Sequence, residues 1–299
     1  MSIEKGNINE KNINKFKKIK KVDNINKLKI IALNIRKDII NMLYLAKSGH
    51  TAGSLGLADI FTVLYFDKLN HKPKNPQYSK RDFVILSNGH VCPVLYSVLA
   101  RSGYFKLDEL KKLRKKKSLL QGHPHKNLNI GIENSSGPLG QGISQAVGLA
   151  VSLKRDNKKN KVYTIVGDGE LQEGQVWESF MFASKEKLDN LIVMIDRNNI
   201  QISGSTDDVC SLEPLSKKIN SFGFSTINID GNNISQIQHA IDYALKIKDK
   251  PVCIIANTIA GKGVSFIESN YQWHGRVPKG EEKELAIKEL NKKIKEVNE

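Results

Sequence analysis

Residues 162–178 read VYTIVGDGELQEGQVWE. The first five are apolar or β-branched and have the length of a buried strand. An aspartate held between two glycines ends that run, and Glu170, Glu173 and Glu178 follow it. In open α/β sheets ligands sit beyond the carboxyl ends of the strands, which is where this acidic turn falls. The chain as a whole is basic, with 47 Lys and Arg against 31 Asp and Glu and a formal charge of +16. Acid gathered at one strand end of such a chain asks for a bound cation.

Outward from this stretch the same alternation repeats. Short apolar runs at 83–86, 161–166, 191–196, 225–229 and 252–257 read as strands. Helical spacing fills 27–47, 57–66, 91–101, 141–156, 174–187, 212–222 and 233–247. Fully apolar strands separated by amphipathic helices predict an α/β fold, a parallel sheet flanked by helices on both faces. Residues 1–26, rich in Lys and Asn, predict a flexible extension. A domain over 27–280 follows, and 281–299 predicts a charged helical tail on the surface.

Composition narrows the function classes. With 299 residues and 39% hydrophobic content the chain can bury a sizeable core. No apolar run approaches the ~18–20 residues of a membrane span, and no apolar leader precedes the fold, so no membrane partner and a cytoplasmic location are expected. Cys92, Cys210 and Cys253 are odd in number and far apart, as in reduced cytosolic proteins. The basic excess is mostly dispersed lysine, without zinc-finger or aromatic-basic patterns, so no nucleic-acid partner is expected. A mild attraction for phosphorylated small molecules uses the charge more economically.

The turn after 191–196 reads DRNNIQISG (196–204), and Asn198 stands thirty residues after Asp168. One carboxylate oxygen and one amide oxygen at neighbouring strand ends suit a hard divalent cation that takes its other ligands from phosphate and water. Gly167 and Gly169 allow close approach of backbone to phosphate, and a helix start offers free N–H groups to the anion. An isolated GDG is more often a helix cap, but the paired Asn favours metal and diphosphate. A dinucleotide loop would need a third glycine where Gln172 stands, and AGKG (260–263) lacks two features of a P-loop.

These residues resemble the thiamine diphosphate enzymes, and more narrowly the transketolases. KSGHTAGSLG (47–56), LSNGH (86–90), QGHP (121–124), SSGPLGQGIS (135–144), GDGELQEGQVWE (167–178), DRNNIQISG and GKGVSF (261–266) match the family's motifs in order. The resemblance implies a metal site, Mg2+ or alternatively Ca2+ or Mn2+, formed by Asp168, Asn198 and the carbonyl of Ile200. It implies that His90, His274, Gly167, Gly169 and Glu170 lie at the diphosphate end of the cofactor. Gly137 and Leu139 would meet its rings, and Ile202 would pack against it. His50, His123 and His274 would face the sugar, and Glu173, with Glu178 beside it, would reach a subunit interface.

The residues add their own argument. His50, His90 and His123 each follow a glycine, which presents an imidazole on a turn, and an imidazole titrating near neutrality suits proton transfer to a sugar hydroxyl. His71 and His125 lack this support and read as surface residues. Glu173 and Glu178, five apart, sit ~140° around a helix and cannot share one face.

A whole transketolase is about twice this length by the same resemblance. The residues after 280 would not supply its second domain, whose glutamate binds the aminopyrimidine ring. The chain is therefore expected to be the N-terminal subunit of a split transketolase, two copies of it joined with two of a C-terminal subunit, acting on phosphorylated sugars. The alternatives are a 1-deoxyxylulose-5-phosphate synthase, a 2-oxo acid dehydrogenase component, and a non-catalytic cofactor-binding partner.

Overall fold

The computed structural model describes residues 24–299, so residues 1–23 of the expected extension lie outside the described residues. The side chain of Asn24 accepts from the Lys27 N–H and caps α1 (Ile25–Ala46), two residues ahead of the expected start. The expected helix over 57–66 is α3 (Ala58–Val63) continued by one wide turn over Leu64–Lys68, and a short α2 (Ala52–Gly56) precedes it. At the join of α2 and α3 a Cβ on Gly56 would stand 3.0 Å from the carbonyl of Ile259, so glycine lets the two backbones approach there.

Next come β1 (Phe83–Leu86), α4 (Cys92–Ser102), α5 (Gly142–Arg155), β2 (Val162–Gly167), α6 (Gly174–Lys185) and β3 (Leu191–Arg197). A hairpin of β4 (Ile200–Gln201) and β5 (Gly204–Ser205) follows, and no periodicity announced it. The chain ends with α7 (Thr206–Cys210), α8 (Leu215–Ser221), β6 (Ser225–Asp230), α9 (Ile234–Ala244), β7 (Val252–Asn257) and α10 (Glu281–Asn298). Among the described residues five strands form one parallel sheet in the order β1-β2-β3-β7-β6.

Strand side chains alternate between two cores, as the period of two requires. Val162, Val166, Leu191, Val193 and Ile195 pack with Ile143 and Val147 of α5 and with Val176 and Phe180 of α6. Tyr163, Ile165, Ile192 and Met194 face the other way, into the core made by α1, α3, α4 and α9. The helix over Glu281–Asn298 is more than a surface tail, since Ala286 and Leu290 are fully buried and it packs along α1.

Right-handed crossovers explain where the site falls. Strands β1, β2 and β3 step across the sheet in one direction with α5 and α6 on one face, while β6 and β7 step back with α9 on the other. The chain leaving β1 turns to α4 on one face and the chain leaving β2 turns to α6 on the opposite one. That divergence marks the carboxyl ends of these strands, where such sheets place a ligand crevice.

Candidate active site

One corner of the crevice is built of carboxylates. Asp168, almost wholly buried, accepts from the Gly169 N–H through Oδ1 at 2.8 Å and from the Asn199 N–H through Oδ2 at 2.6 Å. Arg197 Nη1 reaches the same Oδ2 at 3.3 Å. Burial pushes the Asp168 carboxyl up to about 6 against these stabilising contacts. Asn198 donates from Nδ2 to Asp196 Oδ2 at 2.9 Å, and its Oδ1 accepts from the Ile200 N–H at 2.9 Å. Asp196, held also by the Thr258 hydroxyl, thus fixes which way the Asn198 amide points. Burial raises the Asp196 carboxyl to about 7, with the nearby Asp168 charge adding to it.

The strand ends carrying Asp168 and Asn198 are joined directly, the Asp168 N–H donating to the Asp196 carbonyl at 3.2 Å. Glu170 faces inward. Its carboxylate accepts from the Ser87 hydroxyl and from the N–H groups of Gly140 and Gly167 at 2.7 and 3.0 Å. Glu170 therefore ties the ends of β1 and β2 to the GPLG turn, and its effect on the crevice runs through the backbone.

The opposite corner is built of imidazoles. His50, His90 and His274 form a triangle with ring centroids 5.0, 5.2 and 5.3 Å apart. The Thr51 hydroxyl donates to the Arg276 carbonyl at 2.6 Å, which ties the SGHT turn to the WHGR segment and holds two of these rings together. Burial lowers His50 to about 4, with His274 and Arg114 adding repulsion. Burial lowers His90 to about 3, with His50 and His274 adding to it. His274 and His123 are lowered also, by burial first and, for His123, by Arg114. The shifts favour the neutral form of all four rings, and His50 and His90 fall well below the near-neutral titration expected of them, each neutral ring keeping one N–H donor and one acceptor. The His123 ring lies over Gly137, where an added Cβ would sit 3.6 Å from it.

Leu139, in the GPLG turn that Glu170 holds, and Ile202, between β4 and β5, are large apolar side chains left 36% and 76% exposed. Glu173 stands just before α6 and Glu178 on its first turns, both exposed. His125 is exposed as expected, but His71 is not a simple surface residue. Its ring is half-buried, bonded to the Tyr104 hydroxyl at 3.0 Å and the Tyr65 carbonyl at 2.8 Å. It braces two aromatic residues far from the crevice.

The arrangement fits a cation-bound diphosphate. Buried polar atoms without a partner include His50 Nδ1, Asn88 Oδ1 and Ser136 Oγ, all on turns that line the crevice. Unpaired buried polar groups are costly unless a ligand meets them. Among the described residues no three His, Cys, Asp or Glu side chains cluster as a metal site. One carboxylate with amide and carbonyl oxygens is the donor set of an ion that keeps water and phosphate as its remaining ligands. Asn88, Ser136, Asp196 and Arg197 were not singled out in the sequence, although all lie within or beside its motifs. Only tertiary contacts give them roles.

Residues 26–294 match the family described as transketolase, thiamine diphosphate binding domain. A 6-deoxy-6-sulfo-D-fructose transketolase subunit of Clostridium sp. is 41% identical, covering 82% of this chain and 89% of that protein. An apulose-4-phosphate transketolase subunit of Actinobacillus succinogenes is 42% identical over 81% of this chain and 87% of that one. The crystal structure of transketolase from Campylobacter jejuni superposes with a TM-score of 0.82 at 35% identity, covering 90% of this chain but 43% of the other. Human transketolase, 35% identical, is likewise spanned over only 42% of its length. Motifs, fold and relatives agree, and the chain belongs to the transketolase family as its thiamine diphosphate-binding domain.

Proposed function

We propose that this chain is the diphosphate-binding subunit of a two-chain transketolase, moving a two-carbon ketol unit from a ketose phosphate to an aldose phosphate. One observation carries the reading: the chain matches proteins named as transketolase subunits over nearly their whole length and whole transketolases over less than half of theirs. A separately made C-terminal subunit completes the site, in an assembly with two copies of each chain. The unpaired Cys92, Cys210 and Cys253 favour a reducing, cytoplasmic setting. No described helix is long and apolar enough to cross a membrane.

Asp168, Asn198 and the Ile200 carbonyl would hold Mg2+, with the diphosphate against Gly169 and the side of the crevice lined by His90 and the partnerless Asn88. Bound thiamine diphosphate supplies the electron sink for carbon–carbon cleavage. The chain's own share is acid–base work on the sugar. His50 and His274, neutral and in contact, take and return the proton of a substrate hydroxyl, and His123 holds the donor at the mouth.

The test is reconstitution. The purified chain with Mg2+ and thiamine diphosphate is expected to show negligible ketol transfer between xylulose 5-phosphate and ribose 5-phosphate, and mixing with its C-terminal partner to restore it. Full transfer by the chain alone overturns the two-chain reading. Carbon dioxide released from pyruvate by the mixture would assign it to the synthase class instead.

A further inference from the structure

Two of the histidine turns are joined by a residue that neither the motifs nor the relatives' names single out. Arg114 donates from Nη1 to Ser48 Oγ at 2.9 Å and from Nη2 to the Gly122 carbonyl at 3.3 Å. Ser48 stands two residues before His50, and Gly122 immediately before His123. The guanidinium lies flat against the second turn: a Cβ on Gly122 would meet Cζ at 2.9 Å, Nε at 3.1 Å and Nη2 at 3.2 Å. The first turn is close as well, a Cβ on Gly49 standing 3.9 Å from Nε. Arg114 itself occupies a left-handed backbone conformation at φ +61°, its N–H donating to the Leu120 carbonyl at 2.9 Å. A non-glycine residue there carries strain that surrounding contacts must offset.

We propose that Arg114 is a positioning residue that locks the His50 turn to the His123 turn across the mouth of the crevice, setting the spacing of the two imidazoles that meet the sugar. It gives the glycine before His123 a second reason to be glycine, since any side chain there would expel the clamp. After burial, the largest cause for both rings, Arg114 also lowers their proton affinity: it repels a proton on His50, as His274 and His123 do, and on His123. The proposal rests on the reading that His50 and His123 face the substrate.

The test uses the chain assembled with its partner subunit, and the 15N-histidine resonances of the chain alone. Arg114→Met is expected to lower kcat about tenfold with KM for the donor little changed, as loosened geometry does. It should also move the titrations of His50 and His123 upward by about half a unit. Arg114→Lys keeps the charge and loses the fork, so kcat falls comparably while the titrations stay. Gly122→Ala leaves Arg114 in the sequence but displaces it, and should lower kcat as Arg114→Met does. Full kcat in Arg114→Lys, or wild-type kcat in both Arg114→Met and Gly122→Ala, overturns the clamp. If His50→Ala and His123→Ala leave transfer intact while Arg114→Met still moves the two histidine titrations, the assignment to substrate falls and the clamp remains.

Discussion

The two corners of the crevice solve opposite problems. The carboxylate corner is saturated: every oxygen of Asp168 and Glu170 already accepts a hydrogen bond, and Asp196 fixes the Asn198 amide from behind. The imidazole corner is left open, with His50 Nδ1, Asn88 Oδ1 and Ser136 Oγ buried and unmatched. Burial drives both corners toward neutrality, raising Asp168 to about 6 and lowering His90 to about 3. A saturated corner has its geometry set in advance, with Arg197 already beside the Asp168 carboxylate. An unsatisfied one gains most from a ligand with its own donors and acceptors. On the proposed reading, the tail of the cofactor would meet the saturated half and the substrate the half with spare hydrogen-bonding capacity.

The sharpest way to break this comparison is Asp168→Ala. Losing the single carboxylate of the donor set is expected to weaken Mg2+-dependent thiamine diphosphate binding by on the order of 100-fold or more. Calorimetry on the chain at fixed Mg2+ measures it. An affinity within threefold of the wild type would show that the stiff corner is not where the cation sits.

The imidazole corner is tested by pH. A His whose folded pKa lies below its unfolded value binds its proton more readily in the unfolded chain, so stability is full above about 6.5 and is lost as pH falls toward the folded value. For His50 and His90 that window runs from about 6.5 down to about 4 and about 3. Asp168 and Asp196 act with the opposite sign, adding stability at low pH that is lost as pH rises through their raised values. His90→Asn removes one term of the first kind. Between pH 7.5 and 5.5 it should lose about 1 kcal/mol less stability than the wild type in urea titrations. Equal losses would mean that His90 is not held neutral by burial.

Legibility differed in the same way as the corners. Strands and helices were readable because the runs at 162–166 and 191–195 are apolar on both faces, as the two cores they serve require, and the helices between them keep their own spacing. The Gly–His turns and the Asp168–Asn198 spacing were readable for a related reason, since both are local patterns that chemistry constrains. What could not be read depends on residues distant in sequence. His71 looked like surface until Tyr104, thirty-three positions on, met its ring. The close approach of the Ile259 backbone to Gly56, at the end of α2, likewise joins segments far apart in the chain. Arg197 and Arg114 were two more basic residues in a basic chain, and nothing short of the fold places one guanidinium on Asp168 and the other between two histidine turns.

Ile202 sets the finest test, because it belongs to neither corner. It sits at the tip of the β4–β5 hairpin, 76% exposed, so burial in the chain alone cannot explain an isoleucine there. An exposed apolar side chain contributes little to the fold it stands on, and Ile202→Ser should leave the urea midpoint unchanged. Against a bound cofactor the same side chain would give up part of its exposed area, and apolar area returns roughly 25 cal/mol per Å2. Partial cover therefore predicts a loss of only about fivefold in thiamine diphosphate affinity, well below that of Asp168→Ala. A variant with unchanged affinity in the chain alone but weakened association with the partner subunit would assign the hairpin tip to the interface between chains. The stiff corner would then end at Ile200, and the hairpin beyond it would belong to the completed assembly.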